Sequence, residues 1–276
     1  MSYLTTSDGI KLFYYDSKKD APTILFIHGL KITFERMKPF MEEFQEKYRI
    51  VFYSQRGHDK SDANTLHMNV KRLGQDLNDV IEQLKLKDVI LIGHSLGAST
   101  IFSYVDQFGC DKIKAIVPID MSPCCKNLPD WQGGLGQGKW TEEDFLADMD
   151  RMFDDIGYGS YYVLKEITNP KYRDLPEEKI PETIAALRGT LSPYTMVSFW
   201  WSLYRVDYRE TISKITVPFF YIMPEFPLYN MVVVNFYKDH VKGEFGYAHD
   251  FPGTTHNIVF ETPKELANAI KAFLEK

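Results

Sequence analysis

Cysteine is scarce in this chain of 276 residues: there are three, Cys110, Cys124 and Cys125, and two of them are adjacent. An odd set with adjacent members is poor material for a structural bridge, which argues against a disulfide framework and for reduced thiols in the cytoplasm. No run approaches the roughly 18 apolar residues of a spanning helix, so no membrane span is expected. The stretch Met1 to Tyr15 is polar and alternating rather than basic and then apolar, so no secretory leader is expected either. Basic residues are not in excess. Thirty-two Lys and Arg against 38 Asp and Glu give a formal charge of −6, which argues against nucleic acid or an anionic membrane surface as partner. No metal-ligand spacing stands out. His58, Asp59, Asp62 and His67 cluster in sequence but match no tetrahedral pattern, so neither metal nor cofactor is expected. What remains, 44% hydrophobic and 25% charged residues, suits a soluble enzyme with a sizeable core.

The order of elements follows from periodicity. Tyr3 to Thr6 and Ile10 to Tyr15 read as a hairpin joined at Ser7-Asp8-Gly9. Thr23 to Ile27, Ile50 to Tyr53, Val89 to Ile92 and Ile113 to Ile119 are short apolar runs of the buried-strand kind. Helical spacing fills Phe34 to Tyr48, Asn69 to Leu84 and the stretch from the third run to about Phe108. Strands alternating with helices predict a mostly parallel, doubly wound α/β sheet covered on both faces. The alternation breaks after Met121, where glycines, prolines and four helical segments intervene before a strand over Val217 to Met223. A helix near Tyr229 to His240, a strand around Glu244 to Ala248 and a helix over Pro263 to Leu274 complete the chain. The expected organisation is a core of residues 1–120 and 208–276 with a helical cap, 121–207, inserted in it.

One segment carries chemistry. Residues 88–100 run from an apolar strand through Gly93-His94-Ser95-Leu96-Gly97 into a small-residue helix. A strand–turn–helix of this kind holds the serine in strained backbone geometry and presents its hydroxyl at the sheet's end, with glycines where a Cβ would collide. Ser95 is therefore the expected nucleophile; the bland alternative is a tight turn with an incidental hydroxyl. It needs a base, and His256, in the loop before the last helix, can swing over the sheet edge. Of the other histidines, His94 is expected to point away from the apex, and His249 falls too early. His28 flanks the first strand–helix loop, while His58, His67 and His240 read as surface or loop residues. Backbone amides of Leu30 and Leu96 are the expected oxyanion donors. The acid orienting His256 is either Asp120, which closes the strand Ile113 to Ile119, or Glu225, in the loop after Met223. Asp120 is ranked first. The aromatics Trp131, Trp140, Tyr161, Tyr162, Phe199, Trp200, Trp201 and Tyr204 read mostly as packing, with at most one of Trp200 and Trp201 facing a substrate.

Taken together, His28-Gly29, the loop Gln55-Arg56-Gly57-His58, Gly93-His94-Ser95-Leu96-Gly97 and the late His256 resemble the α/β-hydrolase superfamily over nearly the whole chain. Ile119-Asp120-Met121-Ser122-Pro123, Asp130-Trp131 and Pro227-Leu228-Tyr229 look like its esterase and cofactor-free haloperoxidase branch. In that superfamily the acid usually follows the later strand, at a position occupied here by Pro227, whereas some members place it where Asp120 stands. Ser54 and Asp59 depart from the family's usual Asp and Gly. Ser95 sets the chain apart from relatives with an aspartate at the turn, the haloalkane dehalogenases and epoxide hydrolases. The resemblance implies a serine hydrolase that cleaves a small-molecule ester or acyl substrate through an acyl-enzyme. Perhydrolysis or carbon–carbon bond hydrolysis is the alternative chemistry, and a ligand receptor or regulatory partner that keeps the triad is the alternative class. Sequence leaves the oligomeric state open.

Overall fold

The apolar runs pair as parallel strands. A computed structural model describes residues 2–63, 66–167, 170–189 and 191–276. Its strands are β1 (Ser2–Thr5), β2 (Lys11–Asp16), β3 (Thr23–Ile27), β4 (Arg49–Tyr53), β5 (Val89–His94), β6 (Ile113–Ile119), β7 (Phe219–Ile222) and β8 (Phe245–Ala248). They form one sheet in the order β1-β2-β4-β3-β5-β6-β7-β8. The hairpin β1–β2 joins β4 antiparallel, and every other pairing is parallel.

Alternation along the strands sends side chains to two separate cores. Ile24, Phe26, Ile50, Phe52, Ile90 and Ile92 face a layer of α1 (Phe34–Glu42), α11 (Ile258–Glu261) and α12 (Pro263–Leu274). Their neighbours Leu25, Ile27, Val51, Tyr53, Val89 and Leu91 face α2 (Val70–Gln83), α3 (Leu96–Phe108) and α10 (Met231–His240). Buried on both sides, such strands need apolar residues at every position. The helix expected over Phe34 to Tyr48 is shorter: α1 stops at Glu42, and three-residue turn bonds, Phe44 N–H to Met41 O and Lys47 N–H to Phe44 O, carry the chain on.

Between β6 and β7 the chain leaves the sheet through α4 (Glu142–Asp154), α5 (Ile156–Ile167), α6 (Pro170–Arg173), α7 (Ile180–Arg188) and α8 (Pro193–Arg205), then returns through α9 (Arg209–Ile212). The two ends of this excursion are fastened to each other. Cys124 and Asp207 form an antiparallel bridge, and the Tyr208 amide donates to the Pro123 carbonyl at 2.8 Å. Among the described residues no helix is long and apolar enough to cross a membrane.

Candidate active site

The parallel register decides what stands beside the serine. His94 is level with Ile119 across β5 and β6, so the next residues, Ser95 and Asp120, leave the sheet side by side. Both turn sharply, with φ of 55° at Ser95 and 43° at Asp120, in the left-handed region that non-glycine residues rarely occupy. At Ser95 the turn is enforced by close packing. A Cβ on Gly97 would lie 2.1 Å from the Ile27 carbonyl oxygen, and one on Gly93 would lie 2.7 Å from the Ala98 nitrogen. α3 thus presses onto β3 and β5, and the serine is left at the apex.

His256 arrives from the loop after β8. The Ser95 hydroxyl donates to its Nε2 at 2.9 Å, and its Nδ1–H donates to Asp120 Oδ2 at 2.7 Å. An ionised carboxylate only accepts, so the proton belongs on Nδ1, which leaves the Nε2 lone pair for the serine. The Asp120 side chain is fully buried, and that of His256 is 15% exposed. The Leu228 amide, from the loop after β7, also donates to Asp120 Oδ2, at 3.3 Å. Glu225 is not at the histidine ring: its carboxylate accepts from the Gly253 amide, while its own amide donates to Thr254 Oγ1 at 3.3 Å. Of the two candidate acids, the structure brings Asp120 to His256 and uses Glu225 to brace the loop that carries it. The physical reason is register: the β6 end abuts the β5 end, whereas Glu225 falls beyond the β7 edge.

Three other histidines depart from expectation or gain a role. His94 does not point away. Its Nε2–H donates to the His256 carbonyl at 2.7 Å, and its ring centroid lies 4.8 Å from that of His256. Burial, and then the His256 ring, push its pKa well down, so it is a neutral brace. His58 is not a surface residue. It is buried against Phe199 with ring centroids 5.8 Å apart, and burial lowers its pKa to about 4. His28 accepts from the Gln55 amide at Nε2 (2.9 Å), and the Gln55 side chain donates to the His28 carbonyl (2.7 Å). This pairing ties the Gly29–Leu30 loop to the loop after β4. His67 and His240 are exposed, as expected, and so is His249.

The departures at Ser54 and Asp59 prove to be coupled. Asp59 occupies φ 48°, a conformation suited to glycine, and its carboxylate accepts from the Ser54 hydroxyl (3.2 Å) and the Phe34 amide (3.0 Å).

Leu96 opens α3, so its amide is one of the helix's unpaired first donors. Leu30 lies in the β3–α1 loop, and neither amide donates to a protein acceptor among the described residues. Above Ser95 is a cavity of about 190 Å³ with walls from both the sheet loops and the helical excursion. Of the aromatics singled out in sequence, only Trp200 lines it; Trp201 is 43% exposed on the far side of α8, and Trp140 packs edge-on behind Trp200. Lys31 and Tyr172 also line it and carried no periodic signal. No group of His, Cys, Asp or Glu able to hold a metal occurs among the described residues.

A family profile described as alpha/beta hydrolase fold matches residues 22–157. A solved esterase from Exiguobacterium antarcticum superposes with a TM-score of 0.81 at 19% identity, over 100% of this chain and 99% of that one. The chain has the α/β-hydrolase fold. A bifunctional esterase/perhydrolase of Acinetobacter calcoaceticus is 25% identical over 231 residues, 79% of each chain. A non-heme chloroperoxidase of Kitasatospora aureofaciens is 29% identical over 124 residues, 45% of each chain, so less than half of that relative's length is matched. In sequence the chain is similar to members of the esterase and haloperoxidase branch, as the residues around Asp120 implied.

Proposed function

We propose that this protein is a serine esterase. Ser95 Oγ attacks the acyl carbon while His256 Nε2 takes its proton and later returns it to the leaving alcohol. Asp120 holds the imidazole in the Nδ1–H tautomer and stabilises the imidazolium. The Leu30 and Leu96 amides receive the oxyanion, each lowering the barrier by about 3 kcal/mol. Water, activated by the same histidine, then releases the acid from the acyl-enzyme. Residues 121–207 serve as the cap over the cavity, whose small volume suits a short acyl group. The single observation carrying this reading is the unbroken chain Ser95–His256–Asp120, at 2.9 and 2.7 Å. Three free cysteines agree with a reducing compartment such as the cytoplasm.

Ser95→Ala should abolish p-nitrophenol release from short acyl esters and block labelling by a fluorophosphonate, while circular dichroism stays native. Full activity in that variant would remove the serine from the mechanism. Labelling without turnover would point to a receptor. The esterase/perhydrolase relative favours one second reading, in which hydrogen peroxide replaces water at the acyl-enzyme. It is tested by peroxyacid formation from acetate and hydrogen peroxide.

A further inference from the structure

The cavity above Ser95 has a charge that its apolar walls conceal. Its lining includes two cationic side chains, Lys31 and Arg36, and no aspartate or glutamate. Lys31 follows Leu30 directly and sits at φ 62°, an uncommon conformation for a lysine. Its ammonium turns toward the cap, donating to Ser160 Oγ of α5 at 2.8 Å and to the Leu187 carbonyl of α7 at 2.5 Å. Both acceptors are neutral, and no carboxylate pairs with Lys31 among the described residues. A cation withdrawn from water with only neutral partners is incompletely compensated. Burial accordingly pulls its pKa down to about 8. An ammonium has three protons to donate, and two are used, which leaves one for a ligand. Arg36, on the first turn of α1, is exposed beside the cavity with its guanidinium 4.2 Å over the Phe260 ring. It too has no carboxylate partner among the described residues. In a chain of net charge −6, two cations without counter-ions at the cavity that reaches the serine run against the molecule's overall sign.

We infer that the substrate carries an ionised carboxylate besides its scissile ester, as in a hemiester of a short dicarboxylic acid, and that Lys31 is the residue that selects it. One remaining donor proton and one unit of charge match a carboxylate better than a doubly charged phosphate. The place of Lys31 next to Leu30 puts the anion on the same wall as the proposed oxyanion donor, so a short spacer suffices. Arg36 draws the anion in from solvent. This inference names the substrate class of the proposed esterase and rests on that reading.

The test compares kcat/KM for monoethyl glutarate with that for ethyl pentanoate, with the succinate and adipate hemiesters as length controls. The hemiester should be preferred by at least about tenfold, the least expected of a desolvated charge pair. Lys31→Gln, which keeps a donor and removes the charge, should bring the ratio to about one; Lys31→Arg should keep most of it. Calorimetric titration of Ser95→Ala with the same two esters measures binding without turnover, and the hemiester's advantage there should shrink as salt is added. Equal kcat/KM and equal binding overturn the inference and leave ester hydrolysis standing. Preferential binding by Ser95→Ala, with no turnover of either ester by the unaltered protein, overturns the esterase reading and leaves the anion site standing. A Lys31→Gln variant that weakens both esters equally assigns Lys31 to holding the loop against the cap, and so also overturns the inference.

Discussion

Asp120 stands at the His256 ring because of a neighbour relation rather than any property of aspartate. Its carboxylate has the imidazole on one side and the Leu228 amide on the other. Asp120→Asn should therefore lower turnover of a short ester by about 10⁴-fold, the loss expected when an orienting acid no longer fixes the tautomer. Glu225→Gln should cost far less, because its carboxylate holds the Gly253 amide and not the ring. Steady-state kinetics on the two variants decide the matter: a collapse in Glu225→Gln with near-normal Asp120→Asn would reverse the assignment. Sequence could nominate both acids but only rank them. That Asp120 and not Glu225 stands at the ring follows from His94 lying level with Ile119 across β5 and β6, a long-range pairing that periodicity does not encode. His94 and His58 differ from the sequence expectation for a related reason. A polar ring next to a turn reads as solvent-facing until the element that covers it, the His256 loop or α8, is known.

The elements themselves were largely legible. Thr23–Ile27 and Ile113–Ile119 are strands at the expected bounds, and Asn69 and Leu84 cap α2 at its two ends. These runs are buried on both faces or amphipathic over several turns, so local pattern and tertiary fate agree. The short β7 and the truncated α1 were less so, since their ends are set by turn bonds and by neighbouring strands. The serine turn is where sequence and packing meet most tightly. Gly97→Ala must push α3 away from the Ile27 carbonyl, which should cost about 3 kcal/mol. The matching drop in melting temperature is about 6 °C or more. Calorimetry checks it, and an unchanged melting point would mean that α3 has slack to move.

Stability across the molecule should fall in mild acid. His28 and His58 are packed against each other, 4.9 Å between ring centroids, in the folded interior between the sheet and α8. Burial lowers their pKa values from the ordinary 6.5 to about 3 and about 4. Both folded values lie below the unfolded one, so their contribution is full above 6.5. It is lost as pH falls through that value toward 4 and then 3. Each should cost on the order of 2 kcal/mol between pH 7.5 and 5. Asp148 acts in the opposite sense: burial raises it to about 6, so its contribution is present below 3.8 and lost as pH rises through 6. Two histidines outweigh one carboxyl, and urea midpoints should decline from pH 7.5 to 5, less steeply in His58→Phe. A flat profile would show these rings to be hydrated. The Leu228 amide has a different consequence. In the proposed triad β6 supplies the acid, so the connection after β7 contributes one backbone N–H, which every amino acid but proline can offer at that position. That connection also walls the cavity through Leu228 and Tyr229. Under the proposed mechanism it is thus the segment where side chains can be exchanged to reshape what the cavity accepts, with the proton-transferring groups left intact.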